Sequence, residues 1–224
     1  MLVEPLEGYR MWAPTYDAGP NPLLALERRV MTGLLGPLRG IRVLDVACGT
    51  GYWMQRLAEA GAIMFGFDIC DEMLSYAQQK SAPETRLFLA DASAIPVRSE
   101  TADLTLCSFA ASYFADLKRA MSEMARATRA GGRVIISDMH PAAMAAGWSR
   151  SFRKGRIRYE IEHTQWNDSS FRAAGREAGL QPKEQFDERF AEPERALFTA
   201  AGREHLFADA SRIPAMRIIT WIRL

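Results

Sequence analysis

The stretch IRVLDVACGTG, residues 41 to 51, joins a short apolar run to a glycine-rich turn, with Asp45 near the end of the run and a helix beginning at Tyr52. Ile41, Val43, Leu44 and Val46 suit a strand buried on both faces, which carries the chain to the carboxyl edge of a parallel sheet before it turns. Gly49 and Gly51 lack a Cβ, so the backbone there takes angles that other residues avoid and lets a ligand lie directly against it. The helix that follows aims free N–H groups at whatever is bound. A second acid, Asp68, ends the next apolar run, AIMFGFD at 62 to 68. That is the place for a carboxylate that grips both hydroxyls of a ribose. Two acids framing a glycine loop point to a nucleoside-like cofactor rather than to a pair of turn caps.

The residues after the turn narrow the choice of nucleoside. A dinucleotide fingerprint needs Gly or Ala at residue 54, and Met54 stands there. A phosphate-binding P-loop needs Gly-Lys-Ser/Thr, and no lysine lies between Arg42 and Lys80. By contrast, DVACGTG at Asp45 to Gly51 resembles motif I of the class I S-adenosylmethionine-dependent methyltransferases, and the resemblance continues in order from residue 9 to residue 140. Asp68 matches that family's ribose-binding acid. Asp91 and Ala92, after TRLFLA at 85 to 90, match its adenine-binding pair. ADLTLCS at 102 to 108 resembles the fourth-strand motif beneath the methyl group, and GGRVIISD at 131 to 138 resembles the fifth strand after its Gly-Gly turn.

That likeness implies an α/β, Rossmann-like fold: a seven-stranded, mostly parallel sheet with helices on both faces and an antiparallel final strand near one edge. It further implies that Asp45, Ala47, Gly49 and Gly51 surround the methionine portion of S-adenosyl-L-methionine. Asp68 then holds the ribose, Ile69 and Met73 flank the adenine, Asp91 and Ala92 meet its amino edge, and Ser108 borders the methyl group. YRMWAPTYD at 9 to 17 resembles the lid of related small-molecule enzymes, which makes Tyr9 and Tyr16 lid candidates. The same aromatics, with Trp12, equally suit a hydrophobic clamp on the first helix, and Ile69 and Met73 equally suit an ordinary core.

The pattern of elements agrees with an alternating α/β chain. Asn21-Pro22 reads as an N-cap with proline in the first turn of a helix running toward Gly33. Helices are expected at 52–60 and 71–80, and strands at 41–46, 62–67, 85–90 and 133–138. Asp116 caps a helix ended by Gly131-Gly132, Asn167 or Asp168 caps another to Ala178, and MRIITWIRL at 216 to 224 is a last strand. The whole of 1–224 reads as one domain, with an N-terminal lid and helix at 1–35, a cofactor core at 41–138 and a substrate-side insertion at 139–166.

Bulk properties are compatible with this. At 224 residues and 48% hydrophobic content the chain has enough apolar material for one α/β core. A net charge of +1 argues against a polyanion-binding surface over the whole molecule. Cys48, Cys70 and Cys107 have no metal-ligand spacing, which suits a reducing cytoplasm, and no apolar run reaches membrane-spanning length.

Methyl transfer asks chiefly for alignment of donor and acceptor, because a sulfonium is already electrophilic. A general base is therefore optional. His140, in Asp138-Met139-His140-Pro141, is the catalytic candidate, with a plain turn histidine as the alternative. His163 in YEIEHTQW reads as a strand residue that orients substrate, and His205 as a surface residue of a helix. Residues 147 to 160, GWSRSFRKGRIRYE, carry Arg150, Arg153, Lys154, Arg156 and Arg158 interleaved with Trp148, Phe152 and Tyr159. They fit either a solvated hairpin over the substrate pocket, turning at Gly155, or a nucleic-acid groove. CSFAASYF at 107 to 114 lacks the Asn/Asp-Pro-Pro-Tyr/Phe motif of base or glutamine amino methylation. A small-molecule acceptor is expected, ahead of an RNA methyltransferase or a non-catalytic cofactor-binding regulatory subunit.

Overall fold

The computed structural model describes residues 1–224. In chain order its elements are β1 (Leu2–Val3), α1 (Pro5–Trp12), α2 (Pro22–Leu35), β2 (Arg42–Val46), α3 (Tyr52–Glu59), β3 (Ile63–Asp68), α4 (Asp71–Lys80), β4 (Arg86–Leu89) and β5 (Ala102–Ser108). There follow α5 (Leu117–Ala127), β6 (Thr128–Met139), α6 (Pro141–Ala145), β7 (Ser151–Lys154), β8 (Ile157–Ile161), α7 (Asp168–Glu177), β9 (Leu180–Glu188), α8 (Glu192–Ala200), α9 (Phe207–Ala210) and β10 (Met216–Arg223). Seven strands form one sheet in the order β4-β3-β2-β5-β6-β10-β9, and only β10 runs antiparallel to its neighbours. The expected α/β architecture is present, final antiparallel strand included.

Strand alternation builds two cores, one on each face of the sheet. Leu44, Val46, Val134 and Ile136 pack on one face with Met121 and Met124 of α5, Phe171 of α7 and Trp221. Val43, Leu104, Leu106 and Ile135 pack on the other with Leu26 and Met31 of α2, Trp53, Met54 and Leu57 of α3, and Phe198 of α8. The close helix-on-strand approach that a dinucleotide site obtains from a small residue in the helix is obtained here from the strand instead. A Cβ on Gly66 of β3 would lie 2.4 Å from Met54 Sδ, a separation no carbon tolerates in a packed interior.

Several boundaries depart from expectation. α2 passes through Gly33 and ends at Leu35, before Gly36 at φ 69°. α5 stops at Ala127, not at Gly131-Gly132: the Thr128 hydroxyl donates to Met124 O at 2.7 Å and its backbone is already extended. The two glycines instead belong to a bulge in β6, where Thr128 pairs Ala102 and Arg133 pairs Leu104. A Cβ on Gly132 would sit 2.7 Å from Thr128 Cγ2, so the bulge needs glycine there.

The segment at 147 to 160 does form a hairpin with Gly155 at φ 62° in its turn. It is also joined by β1, which pairs in parallel with β8. The N-terminus and the insertion therefore make one small three-stranded sheet, against which α1 packs through Gly8, where a Cβ would lie 3.2 Å from Ile161 Cγ1.

Candidate active site

β3 and β4 lie to one side of β2, and β5 and β6 to the other. The connections that leave β2 and β5 thus diverge and open a crevice between the carboxyl ends of these strands. Ala47 follows β2 at φ 55° and Phe109 follows β5 at φ 49°. Left-handed backbone at a residue other than glycine costs about 1–3 kcal/mol and persists where its surroundings hold it. Both residues line a cavity of about 420 Å³ over the crevice, a volume in the range of small-molecule sites.

The glycine turn is tied down from three sides. Cys48 N–H donates to Phe67 O at 2.9 Å. Gly49 N–H donates to Asp68 Oδ2 at 2.8 Å, while Cys70 N–H donates to Asp68 Oδ1 at 2.9 Å. The Thr50 hydroxyl donates to Asp17 Oδ1 at 3.0 Å, and Lys80 bridges Asp17 and the Thr50 carbonyl. Asp68 is therefore both a wall of the cavity and the clasp of its floor.

Ten of the twelve residues expected at the cofactor line this cavity: Tyr9, Tyr16, Ala47, Gly49, Asp68, Ile69, Met73, Asp91, Ala92 and Ser108. Asp45 and Gly51 do not. Asp45 shares the Val43 face of β2 and is 2% exposed beneath the turn, because alternate strand residues point to opposite faces. Gly51, at φ 80°, is the N-cap of α3, and a Cβ there would meet Ala77 of α4 at 3.1 Å. Its lack of a side chain serves helix packing rather than ligand approach.

Above the cavity, Tyr9 stands edge-on to Tyr113 with centroids 5.4 Å apart, and Tyr16 lies 6.1 Å from Tyr9. Trp12 packs edge-on to Tyr16 at 4.9 Å and on its other side stacks on Phe152 at 5.2 Å, and Phe152 stacks on Tyr159 at 5.3 Å. The N-terminal aromatics form one cluster with two roles: Tyr9 and Tyr16 roof the cavity, and Trp12, packed on both, ties them to the hairpin. Trp148 stacks on Phe190 at 5.9 Å. The insertion's aromatics are spent on protein partners and are not a stacking platform for bases.

Electrostatically the cavity is acidic. Glu4, Asp68, Asp91 and Asp116 line it, with no arginine or lysine among them. Burial pushes Asp68 above the usual carboxylate range, against the pull of the Gly49 and Cys70 N–H groups. Burial also pushes Asp45 well above it, and the nearby charges of Glu27 and Asp68 add to that. Carboxylates held at such cost favour a cationic ligand, which restores the charge balance that burial removed. The sulfonium and ammonium groups of S-adenosylmethionine fit this requirement. Burial raises Tyr9 well above its ordinary value and pushes Tyr113 up to about 12, so both hydroxyls remain protonated donors at neutral pH.

Residues 44–136 match the methyltransferase domain family. A curated demethylmenaquinone methyltransferase of Renibacterium salmoninarum is 32% identical over 135 residues, covering 58% of this chain and 56% of the relative. A malonyl-[acyl-carrier protein] O-methyltransferase of Hamiltonella defensa is 32% identical over 120 residues, covering 52% and 46%. The chain spans about half the length of these relatives. Among solved structures, an S-adenosylmethionine-dependent methyltransferase from Mesorhizobium loti superposes with a TM-score of 0.70 at 21% identity, over 88% of this chain and 98% of that one. Residues 44–136 thus carry the match to a methyltransferase domain, and the chain as a whole shares the fold of S-adenosylmethionine-dependent methyltransferases.

Three residues in and around this site were not expected from the sequence. Glu27 of α2 is 0% exposed and accepts hydrogen bonds from Trp53 Nε1 and Ser108 Oγ, each at 2.9 Å, and from the Ser137 hydroxyl. In the sequence it sits within an apolar stripe, and nothing local marks it as buried. Tyr113 lies in a one-turn 3₁₀ segment after β5. Arg150, read as part of a solvated run, instead donates to Tyr16 Oη at 2.7 Å. Arg153, Lys154, Arg156 and Arg158 are exposed, as expected of a solvated hairpin.

His140 is not brought to the cavity. Its Nδ1 accepts from Ala142 N–H at 3.0 Å, capping α6, and its Nε2 faces Asp187 at 3.5 Å. Burial lowers its pKa, against the opposing pull of Asp187. The structure gives it a capping post rather than a proton to move. His140→Ala is expected to keep turnover near wild type and to lose about 1 kcal/mol of stability, the usual worth of an N-cap. A steady-state assay paired with urea unfolding checks both, and a large fall in kcat at unchanged stability restores the catalytic reading. His163 lies just beyond β8 rather than within a strand, and does line a smaller cavity with Tyr113 and Arg150. His205 falls in the 3₁₀ turn Glu204–Leu206.

Proposed function

We propose that this chain transfers the methyl group of S-adenosylmethionine to a small-molecule acceptor. The observation that carries the reading is the acid-walled cavity at the glycine turn, roofed by Tyr9 and Tyr16, in a chain whose residues 44–136 match a methyltransferase domain. Asp68 accepts the ribose hydroxyls on the lone pairs left over from Gly49 and Cys70. Ile69, Met73 and Ala92 offer apolar surface to the adenine, and Asp91 offers its amino edge an acceptor. The cofactor supplies an electrophilic methyl carbon on a sulfonium. The remaining work falls to the protein: Ala47 and Gly49 let the backbone approach, and the tyrosine roof excludes water and fixes the line of attack.

Two curated relatives are named for action on demethylmenaquinone and on malonyl-[acyl-carrier protein]. No helix of this chain is long and apolar enough to cross a membrane.

Calorimetry with S-adenosylhomocysteine tests the cofactor assignment. Incubation of cell extract with methyl-labelled cofactor, read by mass spectrometry, tests transfer through products heavier by one labelled methyl. The reading fails if the protein ignores S-adenosylhomocysteine and binds a nicotinamide or flavin dinucleotide instead.

A further inference from the structure

Charge separates the two cavities that meet at Phe109 and Tyr113. The large one is walled by carboxylates, whereas the adjoining smaller one is lined by Arg150, the single arginine or lysine on either wall. Arg150 is enclosed by aromatic rings, its guanidinium carbon lying 5.6 Å from the Phe109 centroid, 5.8 Å from Trp12 and 6.0 Å from Tyr16. Weakly hydrated, planar guanidinium groups suit such surroundings better than lysine ammonium does.

Its side chain makes one hydrogen bond, to the Tyr16 hydroxyl, and no carboxylate pairs with it. A guanidinium carries five N–H donors in a fixed fork. Four of them are therefore without a protein partner. Asp138, on the same wall, is occupied by the Ser112 hydroxyl at 2.6 Å and the Met139 N–H at 2.8 Å. Ser149 and His163 add further polar groups around the guanidinium. A planar fork of donors without a protein partner, on a half-buried arginine, is matched by a planar oxyanion bound through two parallel hydrogen bonds.

We propose that Arg150 is an anion clamp that selects the methyl acceptor: the acceptor carries a carboxylate, held by Arg150 at Phe109 and Tyr113, where the small cavity of about 10 Å³ meets the large one and is itself too small to enclose the group. This rests on the methyl-transfer reading above and deepens it by naming the acceptor class. The rest of the basic run takes no part, since Arg153, Lys154, Arg156 and Arg158 face solvent.

The test uses the full chain saturated with S-adenosylhomocysteine and titrated with benzoate, phenylacetate and malonate, each beside its neutral amide. Wild type is expected to bind at least one acid about tenfold or more tightly than its amide, the worth of a charge-assisted pair. Arg150→Gln is expected to lose that preference while keeping its affinity for S-adenosylhomocysteine. Tyr16→Phe removes the same Arg150 hydrogen bond but leaves the guanidinium, and is expected to keep the preference. Equal binding of acids and amides by wild type overturns the proposal, as does an acid preference that survives in Arg150→Gln. Loss of the preference in Tyr16→Phe to the same extent as in Arg150→Gln also overturns it, by moving the effect to lid geometry. Failure of S-adenosylhomocysteine itself to bind is a separate result, and strikes the proposed function instead. Should Arg150→Gln not fold, the acid-against-amide comparison in wild type decides alone.

Discussion

Replacing Asp68 by alanine is expected to weaken S-adenosylhomocysteine binding by about a hundredfold or more, because two hydrogen bonds to a charged acceptor are worth about 1.5–3 kcal/mol each. The same change unclasps the glycine turn, since Gly49 N–H and Cys70 N–H both lose their acceptor. Cys70 is 1% exposed, and a buried donor left unpaired costs about 1–3 kcal/mol. Gly49 faces the cavity, where water can take the place of the carboxylate, so the stability loss belongs chiefly to Cys70. Asp68→Asn separates the two roles only in part: its amide oxygen can accept one of the two N–H groups, but its NH2 must then oppose the other. Calorimetry gives the binding change and thermal unfolding of the free protein gives the stability change. A folded Asp68→Ala protein with unaltered affinity removes the ribose role proposed for this residue.

The cofactor side was legible in sequence because its logic is local. A β-branched strand, two glycines and an acid at the next strand's end are each set within a few residues, and parallel-sheet topology brings these ends together without further information. Ten expected residues line one cavity for that reason. The two that do not, Asp45 and Gly51, belong to the same motif but serve what lies under it, which strand alternation and helix packing decide. β9 went unseen because LQPKEQFDE has neither alternation nor apolar content. It is an edge strand, and charged residues with a proline are what an edge tolerates. The acceptor side was illegible for a different reason. Arg150 is one of five basic residues within nine positions, and the rings around it, Trp12, Tyr16 and Phe109, come from distant parts of the chain, the N-terminal part being joined to the insertion by the pairing of β1 with β8. No local pattern encodes a contact between residue 2 and residue 160.

Glu27 poses the same problem in its sharpest form, and has the larger consequence for stability. A fully buried carboxylate with three donors converging on it joins α2 to α3 through Trp53 and to the ends of β5 and β6 through Ser108 and Ser137. Burial raises its pKa above the usual 4.5, and the three hydrogen bonds hold it back down. Glu27→Ala leaves the Trp53 indole N–H unpaired in the core and opens a void beside it, while the two serine hydroxyls can rotate to other acceptors. The expected cost is about 2–4 kcal/mol near pH 4.5, or on the order of 10 °C in Tm for a chain of this length. That cost should shrink as the pH rises. An acid whose folded pKa lies above its unfolded one binds its proton more tightly in the folded state, so wild type gives up stability from the unfolded pKa up to the raised folded pKa, and alanine does not. Urea unfolding of both proteins from pH 4 to pH 8 checks the sign. The difference between them should narrow across that range, and a difference that widens with pH would show Glu27 to be stabilised as an anion, with Arg150, the one cation acting on it, as the counter-charge.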